Sequence, residues 1–339
     1  MADVSSDAAV AMRPCSAVLR ALQAGLLAAL LLVFTHTASA AATQPVELAA
    51  PYEYLGWGSP QPPASVLATT GVKDITLAFV LSHGKCEPAW DGSRPLRGGA
   101  DQAAIEAIRA AGGDVDVSFG GWSGKKLGSS CKTPEALAAA YQKVISAYAL
   151  KAIDIDIEHG EFTNRKTRAR VVAALASVQR ANPGLGISIT FGTAESGPES
   201  DGQSLIEDAA AIGFLPSVWT IMPFDFGAPV TNMGQTSIRA AEGLATQLSS
   251  RYGLAAAAAY EHVGVSSMNG KTDESDETVN ASDFQALLGF AQLHHLGRLG
   301  FWSVNRDRPC VGKKPEADAC SGIAQQPYEF TDMLAQYHG

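Results

Sequence analysis

From residue 52 onward, short apolar and β-branched runs alternate with longer stretches in which apolar residues recur every three or four positions. The short runs predict strands at 53–57, 74–80, 114–119, 152–158, 186–191, 218–222, 263–266 and 299–303. The longer ones predict helices at 103–111, 133–150, 166–181, 204–212, 237–252 and 282–293, with a last helix near 327–337. Glycine and proline mark most of the junctions. Repeated strand–helix units imply parallel strands with helical crossovers, and eight of them in about 250 to 300 residues is the arithmetic of a TIM (β/α)8 barrel. No low-complexity linker interrupts the series, so a single domain is expected. A doubly wound open sheet is the structural alternative. It would carry a glycine-rich turn leading into a helix, and Gly56-Trp57-Gly58-Ser59-Pro60 has no good helix start behind it.

The chain ahead of this series reads differently. Arg13 and Arg20 precede an apolar run from Ala24 to Phe34, and Ala38 and Ala40 place small residues at a peptidase site, so residues 1–40 are expected to be a secretory signal peptide. A transmembrane anchor needs roughly 20 apolar residues, and Thr35, His36 and Thr37 interrupt this run. The expected domain is then 41–339, secreted to the exterior or the periplasm. Cleavage removes Cys15 of the five cysteines and leaves Cys86, Cys131, Cys310 and Cys320. An even count in an oxidising compartment reads as two disulfides. Cys310 with Cys320 closes a short loop, and Cys86 with Cys131 joins loops that follow neighbouring strands. No Cys-x-x-Cys pair and no histidine at ligand spacing supports zinc.

Composition narrows the functional classes. With 46% hydrophobic and 17% charged residues the chain is neither disordered nor fibrous. The net charge of -9 offers no basic platform for nucleic acid and suits a neutral or cationic partner. The signal segment carries Asp3, Asp7, Arg13 and Arg20, so its loss leaves that charge unchanged.

The most informative segment is Lys151-Ala-Ile-Asp-Ile-Asp-Ile-Glu-His159. A strand has period two, so Asp154, Asp156 and Glu158 share one face and Ile153, Ile155 and Ile157 the other. In a barrel the isoleucines pack against helices while the acids climb the interior toward the C-terminal mouth, where barrel chemistry occurs. Three carboxylates so close are expected to share protons, with at least one pKa raised, which suits a general acid. A carboxylate-held metal would recruit ligands from other strands, and Asp225 is the only obvious one. Neither a metal nor another cofactor is expected. A half-exposed strand with a solvated acidic face is the bland alternative, and a parallel barrel strand has no such face.

Asp154-x-Asp156-x-Glu158 resembles the core of the acidic signature on the fourth strand of glycoside hydrolase family 18 chitinases. Ser118-Phe119-Gly120-Gly121-Trp122 resembles the family's Ser-x-Gly-Gly motif. Met222-Pro223-Phe224-Asp225-Phe226 resembles its Met-x-Tyr-Asp motif, and Trp302 resembles the tryptophan that floors its sugar site. The spacing between strands seven and eight leaves no room for the inserted α+β subdomain of other branches.

The resemblance implies a secreted chitinase that cleaves β-1,4-linked N-acetylglucosamine with retention and substrate assistance. Glu158 would be the acid, Asp156 the group orienting the acetamido function, Asp154 its proton partner, and Asp225 a further acetamido ligand. Trp302, Met222, Phe224, Trp122 and Asn269 would contact sugar. The implied partners are chitin or chito-oligosaccharides, with neither nucleic acid nor membrane, and a monomer is expected. The rivals are a non-catalytic chitin-binding lectin on the same fold, which would lack the terminal Glu, and an endo-β-N-acetylglucosaminidase acting on N-glycans.

The sequence departs from the pattern in three places. Lys151 and Ala152 replace an Asp and a Gly, His159 follows the acid, and Phe224 and Phe226 lack the hydroxyl of the usual Tyr. The loop 269–277 is acidic and reads as a solvated loop over the barrel mouth.

Overall fold

The computed structural model describes residues 49–227, 229–312 and 316–339; the expected signal peptide lies outside them. The strands in chain order are β1 (Tyr52–Tyr54), β2 (Asp74–His83), β3 (Glu87–Trp90), β4 (Asp114–Gly120), β5 (Ala152–Asp156), β6 (Gly186–Gly192), β7 (Val218–Met222), β8 (Val263–Met268), β9 (Gly270–Lys271), β10 (Thr278–Val279) and β11 (Arg298–Trp302). Eight of them, β1, β2, β4, β5, β6, β7, β8 and β11, pair in parallel, each with the next. Tyr52 closes the ring by pairing with Thr76 on one side and Trp302 on the other. The closed TIM barrel excludes the open doubly wound sheet.

The helices are α1 (Pro63–Thr70), α2 (Ala100–Ala110), α3 (Leu127–Ser130), α4 (Pro134–Tyr148), α5 (His159–Thr163), α6 (Arg165–Ala181), α7 (Ser200–Ala211), α8 (Met233–Tyr252), α9 (Ala256–Tyr260), α10 (Ala281–His294) and α11 (Glu329–Leu334). Their starts follow local chemistry. Thr133 caps α4 through its hydroxyl, with Pro134 as the first helical residue, and Asn280 with Asp283 forms a capping box at α10.

Several elements differ from the expectation, among them α1, which starts at Pro63 although no good helix start is expected behind residues 56–60. The strand expected at 53–57 is shorter, because Gly56 and Gly58 turn the chain. The strand expected at 74–80 continues to His83 and folds back antiparallel as β3, so a hairpin is added to the barrel edge. The strand expected at 152–158 ends at Asp156, although Glu158 remains extended.

The apolar core lies outside the ring. Ile153, Ile155 and Ile157, with Val117, Ile187, Ile189, Val265 and Leu299, are buried between strands and helices. Burial of each such side chain contributes roughly 1.5–3 kcal/mol. The ring's interior is instead polar: Thr76, Asp116, Ser118, Asp154, Ser188, Thr190, Thr220, Ser266 and Arg298 are all buried. Both expected disulfides are present. Cys86, in the β2–β3 turn, meets Cys131 after α3, and Cys310 meets Cys320.

Candidate active site

Hydrogen bonding fixes the deepest acid of β5. Asp154 accepts from the hydroxyls of Tyr52 (2.7 Å), Ser118 (2.6 Å) and Thr190 (2.6 Å). The Arg298 guanidinium lies 3.4 Å from Asp154 and 3.0 Å from Asp116, and it also donates to Thr76 at 2.6 Å. Asp154 is thus one member of a buried ionic plug under the site. Burial pushes Asp116 upward while Arg298 pulls it back.

One pleat higher, Asp156 is 4% exposed and faces a cavity of about 260 Å³. Its carboxyl is pushed well above the usual range, first by burial and then by Glu158 and Asp154. Glu158 stands at the cavity wall with its pKa pushed up to about 7, chiefly by burial. Asp225 and Asp273 push the same way, and Lys126 opposes. Protons are therefore held on the acidic strand, but desolvation contributes more than mutual repulsion does.

Glycines shape the floor. A Cβ on Gly120 would collide with the Asp156 carbonyl oxygen, and one on Gly121 with the Phe79 ring. Both residues have positive φ, so the Ser-x-Gly-Gly turn brings β4 against β5 in a way other residues would block. The Gly121 N–H donates to the Asp156 carbonyl at 2.9 Å. Trp302 lies parallel to Phe79, their ring centroids 5.6 Å apart, with Tyr52 and Tyr54 beside them.

Met222, Phe224, Asp225, Trp122 and Trp302 line the same cavity as Asp156 and Glu158. Trp122 is 69% exposed and its ring meets that of His159 at 3.9 Å, so His159 braces Trp122 from the residue after the acid. An adjoining cavity continues past Trp302 and Trp122 to Trp57, Tyr54 and Asp318. A larger concavity, about 940 Å³, lies at the opposite end of the ring beside Lys73, Asp74 and Lys151, away from these groups.

Asn269 is not on the cavity wall. It is fully buried and accepts from the Ser303 N–H at 2.9 Å, holding the chain just after Trp302. Lys151 pairs with Asp114 at the opposite end of the strand. The acidic loop expected to be solvated is in part a brace. The buried Glu277 carboxylate accepts from the N–H groups of Asp225 and Phe226, both at 2.7 Å. Asp225 in turn accepts from the N–H groups of Asp273 and Glu274.

Asp116, Arg298, Lys126, Asp273 and Glu277 were not singled out from the sequence. A signal existed only for Asp116. Asp114-Val-Asp116-Val-Ser118 alternates polar and apolar residues as the β5 segment does.

A closed (β/α)8 barrel whose C-terminal mouth holds a proton-bearing glutamate above a second buried acid has the make-up of a glycoside hydrolase. No family model matches the chain. The catalytic domain of a hyperthermophilic chitinase from Pyrococcus furiosus superimposes with a TM-score of 0.76 at 30% identity, covering 86% of this chain and 96% of that one. Catalytic-site mutants of that chitinase have been solved with chito-oligosaccharides. A probable bifunctional chitinase/lysozyme of Escherichia coli is 28% identical over 291 residues, 81% of this chain and 32% of that protein. Endochitinase 11 of Metarhizium anisopliae is 28% identical over 257 residues, 71% of this chain and 48% of that protein. The chain thus spans about a third to a half of the length of these two relatives. It belongs to the glycoside hydrolase family 18 chitinases.

Proposed function

We propose that residues 41–339 form a secreted chitinase domain that hydrolyses β-1,4-linked N-acetylglucosamine with retention. The observation that carries this reading is Glu158, a carboxyl that holds its proton to about pH 7 in the same cavity as Asp156. Glu158 gives its proton to the glycosidic oxygen as that bond to the anomeric carbon breaks. The substrate's acetamido oxygen attacks the same carbon and forms an oxazolinium. Glu158, now a carboxylate, takes a proton from the water that opens this ring. Asp156 orients the acetamido N–H and balances the developing positive charge, and the hydroxyls of Tyr52 and Ser118 hold Asp154 beneath it. Trp302 offers the sugar a flat apolar floor.

Anomer-resolved chromatography of chito-oligosaccharide digests tests the reading. The wild type should release β-anomers first, and Glu158→Gln should be slowed by at least about a thousandfold. Undiminished turnover by Glu158→Gln would remove the acid assignment. Binding of chitin without product from the wild type would favour the lectin reading, against which the presence of Glu158 argues. Amino-terminal sequencing of the exported protein tests cleavage after Ala40.

A further inference from the structure

Lys126 sits immediately before α3 and is only 6% exposed. Its ammonium folds back on the turn that ends β4 and donates to the carbonyl oxygens of Gly120 (3.2 Å), Ser123 (2.5 Å) and Gly121. Three N–H donors meet three neutral acceptors, and among the described residues Lys126 forms no contact ion pair. Its charge is therefore satisfied by hydrogen bonds but is not cancelled by a touching carboxylate. The field of a buried, uncancelled cation reaches further than that of one in water. It acts on Asp156, on Glu158 and on Glu161, a 3%-exposed carboxyl in α5 that packs against Gly128. The turn that holds Lys126 is also the one whose Gly121 N–H binds the Asp156 carbonyl. Desolvating a lysine costs several kcal/mol, and maintaining the turn alone would not require a charge.

We infer that Lys126 is a positioning residue of the glycosidase proposed above: its buried ammonium fixes the Gly120–Gly121 turn against Asp156 and supplies the positive charge shared by Asp156 and Glu158. The groups facing Glu158 are Lys126 from the loop after β4, Asp225 from the loop after β7 and Asp273 from the β9–β10 loop. Asp156 also faces Glu158, Asp154 and Glu161. Of these Lys126 is the cation, and it lowers the pH at which Glu158 releases its proton.

The test is the pH dependence of kcat/KM for a soluble chito-oligosaccharide with wild type, Lys126→Met, Lys126→Gln and Lys126→Arg. Removing the charge lets Glu158 keep its proton to higher pH, so the alkaline limb should move to higher pH in Met and Gln. Arg should leave it in place. Neutral variants that lose rate with an unmoved limb overturn the inference, because a merely structural lysine lowers kcat without moving the limb. Failure of both neutral variants to fold while Arg folds also overturns it. If Glu158→Gln retains full activity, the glycosidase reading itself fails, whatever the Lys126 profiles show.

Discussion

Replacing Glu53 with Gln will flatten the dependence of stability on pH. Tyr52 and Tyr54 point into the ring, so the residue between them points outward into the apolar layer. Glu53 is fully buried there, and neither carboxyl oxygen has a hydrogen-bond partner among the described residues. Burial pushes its pKa well above the ordinary 4.5. The folded protein thus retains a proton that the unfolded chain releases. A raised folded pKa contributes stability that is complete below the unfolded value and is lost as pH rises toward the folded one. Each pH unit within that window removes about 1.4 kcal/mol. That figure is the most one group can remove per unit, and it applies wherever the folded protein keeps a proton that the unfolded chain has released. Urea unfolding of wild type and Glu53→Gln at pH 5, 6 and 7 reads the difference directly, since the other groups cancel. The gap between the two should shift in favour of Gln as the pH rises, by up to that figure per unit. Parallel profiles would mean that Glu53 is ionised in the fold and would refute the reasoning.

Three further outcomes follow from the geometry. Catalytic efficiency should fall above about pH 7, tenfold per unit, as Glu158 loses the proton it must donate; a pH profile from 5 to 9 measures this. Phe224→Tyr should raise kcat about tenfold or more, because a hydroxyl on the cavity wall restores a hydrogen bond worth roughly 1.5–3 kcal/mol to a developing charge. Initial rates on a chito-oligosaccharide check this. Removing Cys86–Cys131, which spans 45 residues, should cost up to about 4 kcal/mol and Cys310–Cys320, which spans 10, up to about 2.7 kcal/mol. Urea midpoints of the paired Ala variants rank the two.

The barrel was legible because each strand's outer face must be apolar to meet its helix, and runs such as Ile153, Ile155 and Ile157 state that requirement openly. Asp154, Asp156 and Glu158 were legible for the complementary reason. Acids alternating with buried apolar residues on a parallel strand have nowhere to point but the interior. The rest of the site depends on chain segments distant in sequence. Arg298 opens the last strand and gains meaning only where the closed ring sets it beside Asp116 and Asp154. Glu277 looked like one acid in a solvated run, yet a hairpin turns it onto the backbone of Asp225 and Phe226. Asn269 illustrates the reverse error. Its place at the end of β8 suggested a reach toward substrate, whereas its side chain is needed by Ser303.

The seam of the barrel imposes a timetable on the growing chain. β1 finds β2 almost at once, because Tyr52 pairs with Thr76, but its other edge stays open until Trp302 has been made. The Cys86–Cys131 bridge can close long before that moment. A chain made only as far as β8 is therefore a covalently stapled but open sheet with a bare strand edge, the form most exposed to pairing with a neighbouring chain. The tryptophan proposed to floor the sugar site is thus also the residue whose arrival ends that exposure.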